Sequence, residues 1–439
     1  DYKDYEHGTM VSSLIVDGAR LNPKLDDGLG HFKVRHFGVA TSGGFNSFSI
    51  VKKISEIVSS NTDIKVWNLS LGSRFEVHPN FISLEAAALD EIQFKYDVIF
   101  VIAGTNKKAS ENDKKVGSPA DSINSVVVNS VDFKGKPANF SRRGEVLSFF
   151  IKPDVSYFGG GNGDTINVVS PTGLYKTCGT SFAAPFIARK LSYLIDVMGL
   201  SRETAKSLLI DSAIGWKENS DFDEFLIGRG IVPIHIDEIV KSPKDEIKFI
   251  ISGVSEKYDT YNHSFPIPLA NDSYPFIAKA TLAYFPKCSR NQGVDYTNTE
   301  LDISFGRIDD SLKIKSLQNV KANKDTYGDY FFEEDLRANY RKWDNIKHVR
   351  DSYANSPKAK KSYGNKMWGM SIKTKERLNQ NDGLGIRFGV VVTLKSVDGI
   401  NRLDEFIKKF SLRGWLVNRV NVDNRIDIYE KSEQKITFE

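Results

Sequence analysis

The segment DVIFVIAGT, residues 97–105, constrains the fold more than any other stretch of this chain. It is a nearly unbroken apolar run of strand length that closes on Ala-Gly. A strand with one wet face alternates apolar and polar residues. A strand apolar on both faces belongs to a parallel sheet covered by helices on each side. The neighbouring segments supply those helices. SFSIVKKISEIVSSN (47–61) carries apolar residues at 50, 51, 54, 57 and 58, which is helical spacing. HGTMVSSLIVDG, led by Gly8 and Thr9, FISLEAAALDEIQFKY (81–96) and APFIARKLSYLIDVMG (184–199), ended by Gly199, also read as helices. So does SRETAKSLLIDSA (201–213), which Ser201 can cap. KVRHFGVAT (33–41), IKVWNLSLG (64–72) and SVVVNSVD (125–132) read as strands between them. Residues 1–240 are therefore expected to form an α/β domain with a mostly parallel sheet.

From about residue 245 the pattern changes. EIKFIIS, FIAKATLAYFP, ELDISFG, IRFGVVVTLKS and RIDIYEKS are strand-like with turn residues between them, and VDGINRLDEFIKKFS (397–411) reads as a helix. A second, β-rich domain is expected over 245–439, a sandwich or jelly-roll-like unit broken by an insertion at about 311–380. That insertion holds 16 Lys and Arg against 8 Asp and Glu, a net +8, while the whole chain carries only +4. Tyr340, Trp343 and Tyr363 are interleaved with the basic residues, a pattern compatible with nucleic acid. No binding motif accompanies it, so a solvated face or an acidic protein partner is the better reading.

Four sites carry the chemistry-bearing residues. In GTSFAAPFIA (179–188), Ser181 stands between small residues and an apolar helix. It reads either as a helix cap or as a nucleophile lifted by a helix N-terminus. In EHGTMVSSLI, His7 precedes Gly-Thr and reads as a surface residue or as a base facing a cleft; His31 and His36 lack such a helix start. VIAGTN (101–106) ends a buried strand, where sites of open α/β sheets lie, and Thr105 or Asn106 could donate to an oxyanion. The plain alternative is turn chemistry. NLSLG (68–72) is a second strand end, whose backbone could pair with an extended peptide or simply turn.

The order of these blocks carries more than each alone. His7 in HGT-M-V, Asn-Leu-Ser-Leu-Gly, Ala-Gly-Thr-Asn, KPDVSYFGGG (152–161) and Gly-Thr-Ser-Phe-Ala-Ala-Pro (179–185) resemble the subtilisin-like serine proteases over about residues 5–240. GSPADSINSVVVNSVD (117–132) and ANFSRRG (138–144) are similar to family segments too. The resemblance implies a three-layer domain, a serine endopeptidase and a protein or peptide substrate. It implies Ser181 as nucleophile and His7 as general base. Ser70, Leu71 and Gly72 would line the substrate strand, and Ala103 and Gly104 the floor of the P1 pocket. The sequence departs from the pattern in two ways. The oxyanion Asn of the family directly follows Ala-Gly, where this chain has Thr105, with Asn106 one later. The family's catalytic Asp lies on a strand before the His block, and Asp1 and Asp4 stand too close to His7 to be it. That Asp is expected upstream of residue 1, which would leave the 439-residue chain a poor protease.

The alternative function is a non-catalytic scaffold of the same fold that holds a peptide in the cleft. No cofactor is indicated by the residues; Ca²⁺ and a paired ATPase enter only through the family. With two Cys, Cys178 and Cys288, there is neither a disulfide framework nor a thiolate metal cluster, which fits a reducing, cytoplasmic setting. No apolar run approaches the roughly 20 residues of a membrane span.

Overall fold

The computed structural model describes residues 2–40, 46–108, 110–216, 223–256, 260–317, 335–337, 341–351, 357–377, 381–413, 416–419 and 425–429. Its parallel sheet runs β1 (Val66–Leu69), β2 (Ile99–Ala103), β3 (Val126–Val131) and β4 (Val155–Phe158), in that spatial order. Every residue of β2 and β3 is buried. Alternate residues of β2 serve opposite cores, as strand geometry requires. Ile99, Val101 and Ala103 meet Met10 and Leu14 of α1 (Tyr2–Leu21) and Phe186 and Ile187 of α4 (Thr180–Ser192). Phe100 and Ile102 meet Ile54 of α2 (Ser47–Ser60) and Leu89 of α3 (Leu84–Tyr96). The result is the expected three-layer arrangement. Asn46 and Ser83 cap α2 and α3 by accepting from Ser49 N–H and Ala86 N–H.

Two elements differ from the sequence reading. α1 begins at Tyr2, so His7 lies inside the helix and not at its start. Residues 33–40 pair with no described strand: they meet α1 and β1 through side chains, His36 on Ser12 and Phe37 on Trp67, and among the described residues the sheet ends at β1.

A hairpin of β5 (Ile166–Ser170) and β6 (Gly173–Thr177) leads into α4, and α5 (Arg202–Ala213) follows it. The C-terminal region is antiparallel apart from one parallel pair. A six-stranded sheet contains Glu246–Val254, Phe276–Tyr284 and Arg387–Ser396, and a four-stranded sheet contains Thr299–Ile308 and Trp368–Glu376. Phe249 and Phe276 of the first sheet pack in one core with Phe305 and Trp368 of the second, which makes a sandwich. The late helix spans Leu403–Leu412, shorter than its apolar pattern suggests. Asp398 accepts from Ser396 Oγ and Ile400 N–H and pairs with Arg402, holding a turn just ahead of it.

The sandwich is not a hanging appendage. Ile250, Phe285, Ile346 and Val391 belong to the same core as the parallel sheet. On α5, Ser207 Oγ donates to Thr281 O, and Asp211 accepts from Thr281 and Thr393 hydroxyls. Much of the basic insertion, Tyr340 included, lies outside the described residues, as do Asp1 and the Asp4 side chain. Where it is described, several of its cations meet the chain's own groups. Lys347 and Lys342 pair with buried Glu300 and Asp302, and the Arg377 guanidinium lies 3.8 Å from the Trp343 ring centroid.

Candidate active site

Ser181 sits in the first turn of α4, half-buried, one residue after Thr180 and two after Gly179. Gly179 has φ 155° and ψ 158°, a conformation open essentially to glycine alone. A Cβ there would also stand 3.2 Å from Asn106 Nδ2. Ser181 N–H is therefore one of the first-turn amides that no helical carbonyl can satisfy, at the positive end of the helix.

Asn106 follows the end of β2 and reaches this helix start. Its Oδ1 accepts from both Thr180 N–H, at 3.2 Å, and Thr180 Oγ1, at 2.9 Å. The amide is thereby fixed with Nδ2 turned toward Gly179, and among the described residues Nδ2 has no partner. Thr105 is placed differently. Its φ is 67°, rare for a β-branched residue. Its hydroxyl donates to Gly104 O at 2.6 Å and accepts from Gly117 N–H at 3.0 Å. The hydrogen of Thr105 Oγ1 is committed, while that of Asn106 Nδ2 is not.

Ser70, Leu71 and Gly72 continue β1 and run beside Ala103, Gly104 and Thr105; a Cβ on Gly72 would meet Thr105 Cγ2 at 2.4 Å. Gly104 N–H donates to Val128 O, and a Cβ on Gly104 would collide with Asn129 Oδ1. Ser70 Oγ donates to Ser181 O at 3.1 Å and accepts from Asn68 Nδ2 at 3.1 Å. The end of β1 is thus tied to the Ser181 turn. The structure brings His7, Ser181, Asn106, Ser70–Gly72 and Ala103–Thr105 to one end of the sheet.

His7 approaches from α1. Its ring centroid lies 5.9 Å from that of Phe182, the residue after Ser181. The side chain is reached by solvent, yet the protein crowding it lowers its pKa below the usual imidazole value. Among the described residues no hydrogen bond or ion pair fixes either ring nitrogen. His31 is ion-paired with Asp17, and His36 Nδ1 is bonded to Ser12, so both are occupied elsewhere.

The sequence model of the subtilase family matches residues 1–246, more than half of the chain. The chain belongs to the subtilase family. Similar solved structures include a lanthipeptide protease, at 18% identity and a TM-score of 0.41 over 53% of this chain and 74% of that one. Another is the epidermin leader peptide processing serine protease of Staphylococcus aureus, at 20% identity and a TM-score of 0.41 over 53% of this chain and 62% of that one.

This subtilase has a groove of about 960 Å³ along the free edge of β1, between that strand and residues 32–40. Val11, Ile54, Val58, Val66 and Phe100 make much of its wall apolar, and His7 and Asn68 also line it. Asn68 Oδ1 is buried there with no hydrogen-bond partner among the described residues. The roles of Asn68 and Thr180 were missed from sequence. A polar residue inside a strand and a Thr before the candidate nucleophile were signals, but only contacts across the chain give them meaning. Among the described residues there is no group of three or more His, Cys, Asp and Glu that could hold a metal ion. No described helix is long and apolar enough to cross a membrane.

Proposed function

We propose that this serine-type peptidase cleaves peptide bonds in extended segments through an acyl-enzyme formed on Ser181. The substrate lies along Ser70–Gly72. Ser181 Oγ attacks the scissile carbonyl carbon while His7 takes its proton. The carbonyl oxygen becomes an oxyanion facing Asn106 Nδ2 and Ser181 N–H. His7 returns the proton to the leaving amine as the C–N bond breaks, and water then releases the acyl group by the same route. The observation that carries this reading is the double grip of Thr180 on Asn106 Oδ1, which leaves one amide donor aimed at the Gly179–Ser181 turn. Asn106, not Thr105, is the side-chain donor in this scheme.

Among the described residues no carboxylate bonds to His7, and the scheme calls for one to orient it. A strand laid along the groove beside β1 would pair with that free edge, fill the apolar wall and place a carboxylate against the imidazole. A fluorophosphonate probe tests the core of the proposal. It should label the chain at Ser181, and Ser181→Ala should abolish labelling, in line with the roughly 10⁶-fold loss that follows removal of a triad nucleophile. Labelling at Ser70 or Ser118 would reassign the nucleophile. Absent labelling with retained peptide binding would favour the non-catalytic scaffold.

A further inference from the structure

Arg142 is 2% exposed, and its guanidinium ends on main-chain carbonyls only. Nε donates to Asn106 O at 3.0 Å, Nη1 to Ser73 O at 3.3 Å and Nη2 to Arg74 O at 2.8 Å. Two of these acceptors follow Ser70–Gly72 directly; the third belongs to the residue whose amide faces Gly179. The fork is held from behind as well, because Asn129 Nδ2 donates to Arg142 O at 2.9 Å. Ser141 bridges to Asn106 and Arg143 to Lys115, so the backbone on both sides of Arg142 is paired.

We infer that Arg142 is a positioning residue for the oxyanion hole: one buried guanidinium fixes Asn106 relative to the substrate-edge loop and leaves its charge unpaired behind the site. The inference deepens the proposed function and rests on it. The planar fork holds three carbonyls of two separate segments in fixed directions; a lysine ammonium is a point charge and would not set the same geometry. No described carboxylate lies within ion-pairing distance of Arg142, and burial lowers its pKa, with Glu76 and Glu111 acting only at longer range. A guanidinium behind Asn106 with no described carboxylate in contact attracts the negative charge that develops on the carbonyl oxygen. The neutral ground-state carbonyl gains little from it. The effect therefore belongs to the rate of the chemical step more than to binding.

The test uses the full chain and a fluorophosphonate, whose phosphonyl oxygen occupies the place of the oxyanion. The maximal labelling rate and the half-saturating concentration are measured separately, with melting temperature as the check of folding. Arg142→Gln should lower the maximal rate by about 10- to 100-fold, with the half-saturating concentration within about threefold. Arg142→Lys should fall between Gln and wild type, since it keeps the charge and loses the fork. Guanidinium ion at non-denaturing concentration should restore several-fold activity to Arg142→Ala, and methylammonium should restore less. A folded Gln or Lys variant labelling at the wild-type maximal rate overturns the inference. So does a loss confined to half-saturation, or a folded Ala variant that guanidinium leaves unchanged. If wild type is not labelled at Ser181, the proposed function fails first and takes this role with it; wild-type labelling with unaffected variants sinks the Arg142 role alone.

Discussion

On one side of Ser181, every element that would meet the oxyanion is fixed by bonds within the described chain. Thr180 holds the Asn106 side chain, Arg142 holds its carbonyl, and Thr105 joins Gly104 to Gly117. On the other side, His7 has a ring contact with Phe182 and a groove beside it, but no bonded partner among the described residues. The side that would meet the oxyanion is preorganised by bonds between segments distant in the chain. Among the described residues, the base side is placed by packing of α1, with no bond to its ring nitrogens. A peptidase with this asymmetry should bind its transition state better than it can move protons.

The largest expected effect follows from closing that gap. Fusing ahead of residue 1 a short strand-forming segment that ends in Asp, of a length to lie along β1, should raise the Ser181 labelling rate by up to about 10⁴-fold. That is the scale of what a triad loses with its carboxylate. The pH profile supplies an independent reading. Crowding lowers the His7 pKa, and the base works when neutral, so the rate should rise with pH and reach half-maximum below the usual imidazole value of about 6.5. A carboxylate beside the imidazole favours its charged form, so the midpoint should move upward in the fusion. The same rate and midpoint with and without the segment would mean that His7 is already oriented by a group within this chain, and the contrast between the two sides would collapse.

The same contrast separates what was legible in the sequence from what was not. The three-layer fold could be read, because burial on both faces leaves a continuous apolar run such as Ile99–Ala103 and amphipathic spacing in α2. The gathering of His7, Ser181 and the two strand ends followed from motif order. Residues 33–40 of the segment read as a strand over 33–41 pair with no described strand, since alternation records the tendency to extend but not whether a neighbour is there to pair with it; residue 41 lies outside the described residues. The entry of α1 at Tyr2 was missed because Gly8-Thr9 looked like a start, while packing carries the helix through it. Arg142 and Thr180 were invisible as candidate site residues: Arg142 reaches carbonyls and Thr180 an amide far away in sequence. The basic, aromatic insertion suggested a partner, yet Arg377 on Trp343 and Lys347 on Glu300 show part of that charge spent internally.

On the oxyanion side, Asn106→Ala should cost about 10²–10³ in maximal labelling rate, the usual price of one lost donor. Its half-saturating concentration should stay within a fewfold, because the amide faces the oxygen only once charge builds on it. Asn106→Asp keeps the acceptor for Thr180 but replaces the donor by a negative charge, so it should be at least as damaging. A loss of less than about threefold in Asn106→Ala would show that the hole is not built on this residue.

Thr105 gives the smallest effect and the finest discrimination. Thr105→Val preserves shape and the β-branch but removes the hydroxyl between Gly104 O and Gly117 N–H. Gly117 is buried, so its N–H would lose its acceptor, at a cost of about 1–3 kcal/mol in stability. The backbone around Asn106 would loosen slightly, but Asn106 Nδ2 would still be held through Thr180. The melting temperature should therefore drop by several degrees while labelling slows by no more than about tenfold, well short of Asn106→Ala. Thr105→Ser, which restores the hydroxyl, should recover most of both. If Thr105→Val instead slowed labelling as much as Asn106→Ala with little change in melting temperature, the Thr105 hydroxyl would be the oxyanion donor. The commitment of its hydrogen to Gly104 would then have to break during the reaction.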